Sequence, residues 1–130
     1  MRGRNGHGRG RRGRHLLHPT LLFLMHQGPA HGYDLIDRLG NFGIVELDPS
    51  LVYRVLRDME ADGLISSTWD EEKTQGPPRR VYQLTQDGDH VLKNYLADLD
   101  TTRQRIDQLI NAYERHMQST DGKFHKKGGD

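Results

Sequence analysis

"SLVYRVLRDMEADGLI", residues 50–65, decides how this chain is read. Val52, Val55, Leu56 and Met59 recur at the spacing of one helical face. Ser50, Tyr53, Arg54 and Arg57 fall at i, i+3, i+4 and i+7 on another. Just upstream, Asp48 is a favourable N-cap, and Pro49 suits a first helical position, where an N–H would be unpaired anyway. Gly63 is a favoured terminator, so the spacing predicts a helix over 49–63. The run from Leu64 to Trp69 then reads as a strand.

Working outward, "HLLHPTLLFLMHQ" (15–27) reads as a first helix, with Pro19 tolerated in its first turn. "GPAHG" (28–32) breaks it, and Leu35, Ile36 and Leu39 mark a short second helix over about 32–41. "GNFGIVELDP" (40–49) is a loop, with a brief extended segment expected at 44–47. "DEEKTQGPP" (70–78) is a polar, turn-rich loop, and "RVYQL" (80–84) alternates as the return strand of a hairpin. Thr85 can cap a last helix running to about 118. In that helix Leu92, Leu99, Ile106 and Tyr113 recur every seven residues. Tyr95 and Leu109 share a companion position, with Leu96, Ile110 and Met117 beside it, which is close to a coiled-coil seam. The start of this helix, through Val91, Leu92 and Tyr95, can meet the first helix, but beyond Leu99 it outruns so small a body, and a symmetric dimer is the simplest cover.

The expected fold is mostly α with a small β-hairpin: a winged helix-turn-helix followed by a long C-terminal dimerisation helix. The expected organisation is a basic arm at 1–14, a DNA-binding domain at 15–86, a dimerisation helix at 87–118 and a flexible tail at 119–130.

Composition narrows the function. The 130 residues suffice for one domain with a modest core, which a partner subunit would help to stabilise. The absence of cysteine removes disulfides, thiolate zinc sites and iron–sulfur clusters, and fits a cytoplasmic protein. The longest apolar run, "LLFLM" (21–25), is far short of the roughly 20 residues of a membrane span, and the Arg-rich start lacks the apolar stretch of a signal peptide. Net charge is +1, yet residues 1–14 hold six of the 19 basic residues and no acid, which leaves 13 basic against 18 acidic residues in the body. A basic arm on an acidic body is the asymmetry found in nucleic-acid binders. "MRGRNGHGRGRRGR" has no apolar residue after Met1 and is expected to stay disordered alone. Its Arg11, Arg12 and Arg14 can track phosphates or enter a minor groove, bind RNA non-specifically, or simply solubilise the chain. The eight histidines are scattered, and the His15/His18 pair has no third ligand nearby, so no metal and no cofactor is expected; a metal-responsive sensor is the weakest alternative. G-x-S-x-G, P-loop and H-E-x-x-H motifs are absent, which argues against an enzyme.

Three spaced stretches resemble the PadR family of transcriptional regulators. "GPAHGYDLIDRL" (28–39) is similar to its second-helix region, "LDPSLVYRVLRDMEADGLI" (47–65) to its recognition helix, and "GPPRRVYQLTQDG" (76–88) to its wing. The likeness covers about residues 15–90, and the single helix after the wing resembles the family's short-chain branch. Two positions depart: Leu51 stands where a small hydroxyl residue is more usual, and Arg54 where proline is frequent.

By spacing alone, the Tyr/Arg face of helix 49–63 reads first as an ordinary solvated surface, with Tyr53 half-buried in packing, and only second as a binding one. The resemblance turns it into an expected contact with double-stranded DNA through Ser50, Tyr53, Arg54 and Arg57, whose donors suit guanine and phosphate acceptors. In the wing Lys73, Arg79 and Arg80 are expected on phosphate or in a minor groove, although Asp70, Glu71 and Glu72 temper the charge of its tip. The expected dimer contact comprises Leu92, Tyr95, Leu96, Leu99, Ile106, Leu109, Ile110 and Tyr113. The resemblance further implies a repressor relieved by a small hydrophobic or phenolic effector, for which Leu17, Leu21, Trp69, Tyr95 and Leu99 are the conjectured pocket. The competing reading is an RNA-binding or protein–protein adaptor module that uses the Gly/Arg arm.

Overall fold

The computed structural model describes residues 13–70 and 78–120. A 3-10 turn (Arg14–Leu16) leads into α1 (Leu17–His26), and a two-residue strand β1 (Ala30–His31) runs directly into α2 (Gly32–Leu39). A second 3-10 turn (Gly40–Phe42) precedes α3 (Pro49–Ala61), β2 (Ile65–Asp70), β3 (Arg79–Leu84) and α4 (Gln86–Ser119). The sheet is antiparallel with order β1-β3-β2, so β1 adds a third strand to the expected hairpin, pairing Ala30 with Tyr82 and His31 with Val81. The chain divides within α4, between Tyr95 and Leu96, into two compact units.

In the first unit α1 is apolar nearly all round and is the central post. Leu17, Pro19, Leu21, Leu22, Leu24 and Met25 are all buried, and Pro19 sits in the first turn, where it interrupts no helical hydrogen bond. Leu35 and Leu39 of α2, Val52, Leu56 and Met59 of α3, Ile65 of β2 and Tyr82 of β3 close around it. The loop expected to be extended at 44–47 forms no strand. Ile44 plugs the core, and Glu46 adopts a left-handed conformation (φ 62°) that cannot continue a strand.

The boundaries of α3 follow from local chemistry. The Asp48 carboxylate accepts the Ser50 N–H (3.0 Å) and hydroxyl (2.8 Å). At the other end Gly63, at φ 80°, lets its own N–H reach the Glu60 carbonyl (3.0 Å) and the Leu64 N–H reach that of Met59 (2.9 Å). Thr85 ties α4 to this same corner. Its hydroxyl donates to the Gly63 carbonyl (2.7 Å) and accepts from the Gly88 N–H (3.0 Å), while its own N–H bonds the Leu64 carbonyl (3.1 Å).

Leu92 was placed on the dimer seam by its heptad position, but it is 3% exposed and belongs to the core of its own domain, with Val91 and Tyr95 packed beside it. The first turns of α4 supply one of the walls that so short a chain needs.

The second unit is the remainder of α4. Leu96, Ile106, Leu109, Ile110 and Tyr113 are exposed along it. Asp100 accepts from Arg103 and from Gln104 on its polar side. No helix among the described residues is long and apolar enough to cross a membrane.

Two stability outcomes follow. A Cβ at Gly88 would lie 2.0 Å from the Leu64 carbonyl oxygen, so Gly88→Ala must push α4 off the sheet and is expected to cost about 1–3 kcal/mol in urea unfolding. The hydrogen bonds from the Ser50 hydroxyl and N–H hold the Asp48 carboxyl below its usual pKa, so the folded state favours the charged form. The cap therefore stabilises fully above the unfolded carboxylate pKa and fades as pH falls through the folded value. Asp48→Ala should lower Tm by a few degrees at pH 7, roughly what loss of a cap implies, and the gap to wild type should narrow below about pH 4.

Candidate nucleic-acid interface

The fold presents one face of α3 to solvent. Val52, Val55, Leu56 and Met59 anchor the opposite face in the core, and Ser50, Tyr53, Arg54 and Arg57 are all exposed on the free one. Leu51, the departure from the usual small hydroxyl residue, packs partly against the core and is not among the outward-facing side chains.

Tyr53 is less free than its three companions. Its ring lies on the backbone of Gly32, where a Cβ would come within 2.6 Å of the ring. Only glycine at the start of α2 permits this approach, so the contact sets how α2 and α3 meet.

The sheet stands beside α3. β2 and β3 pair from Ile65↔Leu84 to Asp70↔Arg79. A cavity of about 170 Å³ opens between the sheet, the start of α2 and α3, lined by His31, Tyr33, Tyr53, Trp69, Arg79, Arg80 and Tyr82 among others. Arg79 is exposed, whereas Arg80 is half-buried: it donates to Ser67 (2.7 Å) and its guanidinium carbon stands 4.4 Å from the centroid of the Trp69 ring. Burial pushes the Tyr82 phenol above its ordinary pKa, with Arg80 pulling the other way.

His31 occupies the N-cap position of α2 without capping it through its side chain. Its Nε2 instead lies 3.1 Å from Asp70 Oδ2, spanning from β1 across β3 to β2, with Asp34 at 3.8 Å from Nδ1. This contact ties the far end of β2 to the start of α2. Among the described residues no group of three or more histidine and carboxylate side chains converges as a metal site would.

Lys73, Arg11 and Arg12 lie outside the described residues. Arg14 opens the first 3-10 turn. Gly13, just before it, runs against Gly43 and Ile44, so the root of the basic arm adjoins the loop that leads into α3.

The conjectured effector residues are not gathered into one site within the first unit. Leu17 and Leu21 are closed into the core, Tyr95 packs on its margin, and Trp69 is 53% exposed on the wing. Leu99 belongs to the second unit.

The comparisons with known proteins agree with this geometry. A search of the curated proteins finds no match. Among solved structures, a conserved protein of unknown function described as a potential transcriptional factor is 36% identical, with 79% of this chain and 91% of that one covered and a TM-score of 0.70. A PadR-like transcription factor from Bacteroides fragilis is 30% identical over 81% of this chain and 98% of its own, with a TM-score of 0.62. A PadR-like transcriptional regulator from Bacillus cereus shares the fold at 22% identity and a TM-score of 0.67, over 75% of this chain and 94% of that one. The family model for PadR-like transcriptional regulators matches residues 21–94, which span α1 of the helix-turn-helix through the sheet into α4, and the chain belongs to that family.

Proposed function

We propose that this transcriptional regulator is a homodimeric, sequence-specific DNA-binding repressor, released from its operator by a small hydrophobic or phenolic effector. The observation that carries the DNA-binding part is the free face of α3. Two arginines, a tyrosine and a serine stand exposed on a helix whose other side is locked in the core, next to a short antiparallel sheet. Such a helix enters a major groove with its donors toward base edges and phosphates.

Ser50, Tyr53, Arg54 and Arg57 make the groove contacts, Arg79 and Lys73 reach the flanking backbone, and Arg11, Arg12 and Arg14 of the arm extend from beside the α3 loop along the phosphates. Dimerisation is supported by the exposed Leu96, Ile106, Leu109, Ile110 and Tyr113, which lie on a helix with little reason to be apolar unless a second copy covers it. An isologous pair places two α3 helices on a pseudo-palindrome with half-sites about one turn, roughly 34–36 Å, apart. The effector acts by binding better to a dimer geometry in which those helices are misplaced.

Selection of duplexes from a random pool, followed by anisotropy against a shuffled duplex over a salt series, tests this reading. A selected motif bound tighter by several kcal/mol, with the preference surviving as salt rises, is the expected outcome. Arg54→Ala and Arg57→Ala should each weaken specific binding by about 1–3 kcal/mol. Equal, steeply salt-dependent binding to every duplex would sink the proposal, and a preference for single strands or A-form duplex would move it to RNA. Ile106→Glu should weaken self-association by at least roughly tenfold in sedimentation equilibrium without unfolding the first unit, because it sets a charge into the apolar seam.

A further inference from the structure

A chain of side chains joins the wing to the recognition helix. Glu60, in the last turn of α3, accepts a hydrogen bond from the Ser67 hydroxyl at 2.8 Å. The same hydroxyl oxygen accepts from Arg80 Nη1 at 2.7 Å. The guanidinium also covers the Trp69 ring, with 4.4 Å from its carbon to the ring centroid. Trp69 and Arg80 are direct cross-strand partners, and Ser67, two residues before Trp69, shares its face of β2. One side chain therefore uses its planar face on the indole and its edge on a hydroxyl whose proton is committed to a carboxylate of α3.

We infer that Arg80 is a positioning residue, which holds the wing strands at a set angle to α3, rather than one of the cations that meets a DNA phosphate. The inference rests on the DNA-binding reading above. Three physical features carry it. The Arg80 side chain is half-buried, whereas its neighbour Arg79 is exposed. Its charge is answered by Glu60 through Ser67, which reduces the field that it can offer to a phosphate. A broad delocalised cation that lies over an indole while one of its N–H groups donates to a hydroxyl is a guanidinium arrangement that an ammonium reproduces poorly, so the site calls for arginine and not for positive charge alone.

Charge and shape can be separated in the full-length chain. Ser67→Ala removes no charge, and Arg80→Lys keeps the charge but loses the guanidinium that reaches both Trp69 and Ser67. Both, together with Trp69→Ala, are expected to lower affinity for the selected duplex several-fold, with the slope of log K against log salt as in wild type and the chain still folded by circular dichroism. A direct phosphate contact predicts the reverse: Arg80→Lys would bind as wild type, and Arg80→Gln would reduce the slope by about one. Either result, or wild-type affinity in Ser67→Ala, overturns the inference. A readout without DNA comes from Trp69, the one tryptophan in the sequence. Acrylamide quenching should rise in Ser67→Ala and Arg80→Lys as the guanidinium leaves the indole, and unchanged quenching in both would overturn the strut. If wild type selects no duplex while quenching responds as expected, the DNA-binding proposal fails and the strut stands.

Discussion

Three elements of this protein meet at the carbonyls of Gly63 and Leu64. Gly63 turns left-handed, so α3 ends there with its last carbonyls bonded, and β2 starts at a set angle. Thr85 then bonds both carbonyls and caps α4, and Gly88 has no side chain to hold α4 away from Leu64. The end of α3, the start of β2 and the first turn of α4 are therefore referenced to one corner of backbone. A displacement there would move all three, although residues 84–88 ("LTQDG") lie outside α3 itself.

From that corner, the two sides of α3 have different tasks. The apolar side closes the core around α1, a helix with almost no solvent face. The polar side is left exposed, and its orientation is reinforced from both flanks. Tyr53 rests on Gly32 at the start of α2, and Glu60 reaches Ser67 on the wing. His31 adds a third tie, from β1 to Asp70 at the far end of β2. These contacts are polar or aromatic and lie outside the core, so they contribute less to overall stability than to holding the helix and the sheet in a fixed relation.

The helix-turn-helix order, the cap at Asp48, the stop at Gly63 and the return strand were legible in the residues because each depends on neighbours within a turn or two. The inward and outward faces of α3 were legible for the same reason. β1 was not, since two residues carry no period. Leu92 was misassigned because one heptad position serves equally for packing onto its own domain and onto a partner, and only the tertiary structure shows that α4 begins as part of the core. The segment expected to be extended at 44–47 was not legible either, since Ile44 is buried in the core and Glu46 turns left-handed, neither of which a local pattern shows.

The sequence by itself determined where α3 would run and which of its residues would face away from the core, because a helix has a fixed period and its ends have fixed chemical requirements. It also determined family membership through motifs that keep their order along the chain. Only the tertiary structure decided that Gly32 would seat Tyr53, that Arg80 would be shared between Trp69 and Ser67, and that His31 would leave its helix to reach Asp70. Those pairs are separated by between 11 and 39 residues. No local period connects them, and they meet only because burial of the α1 core folds the sheet back against the two helices that precede it.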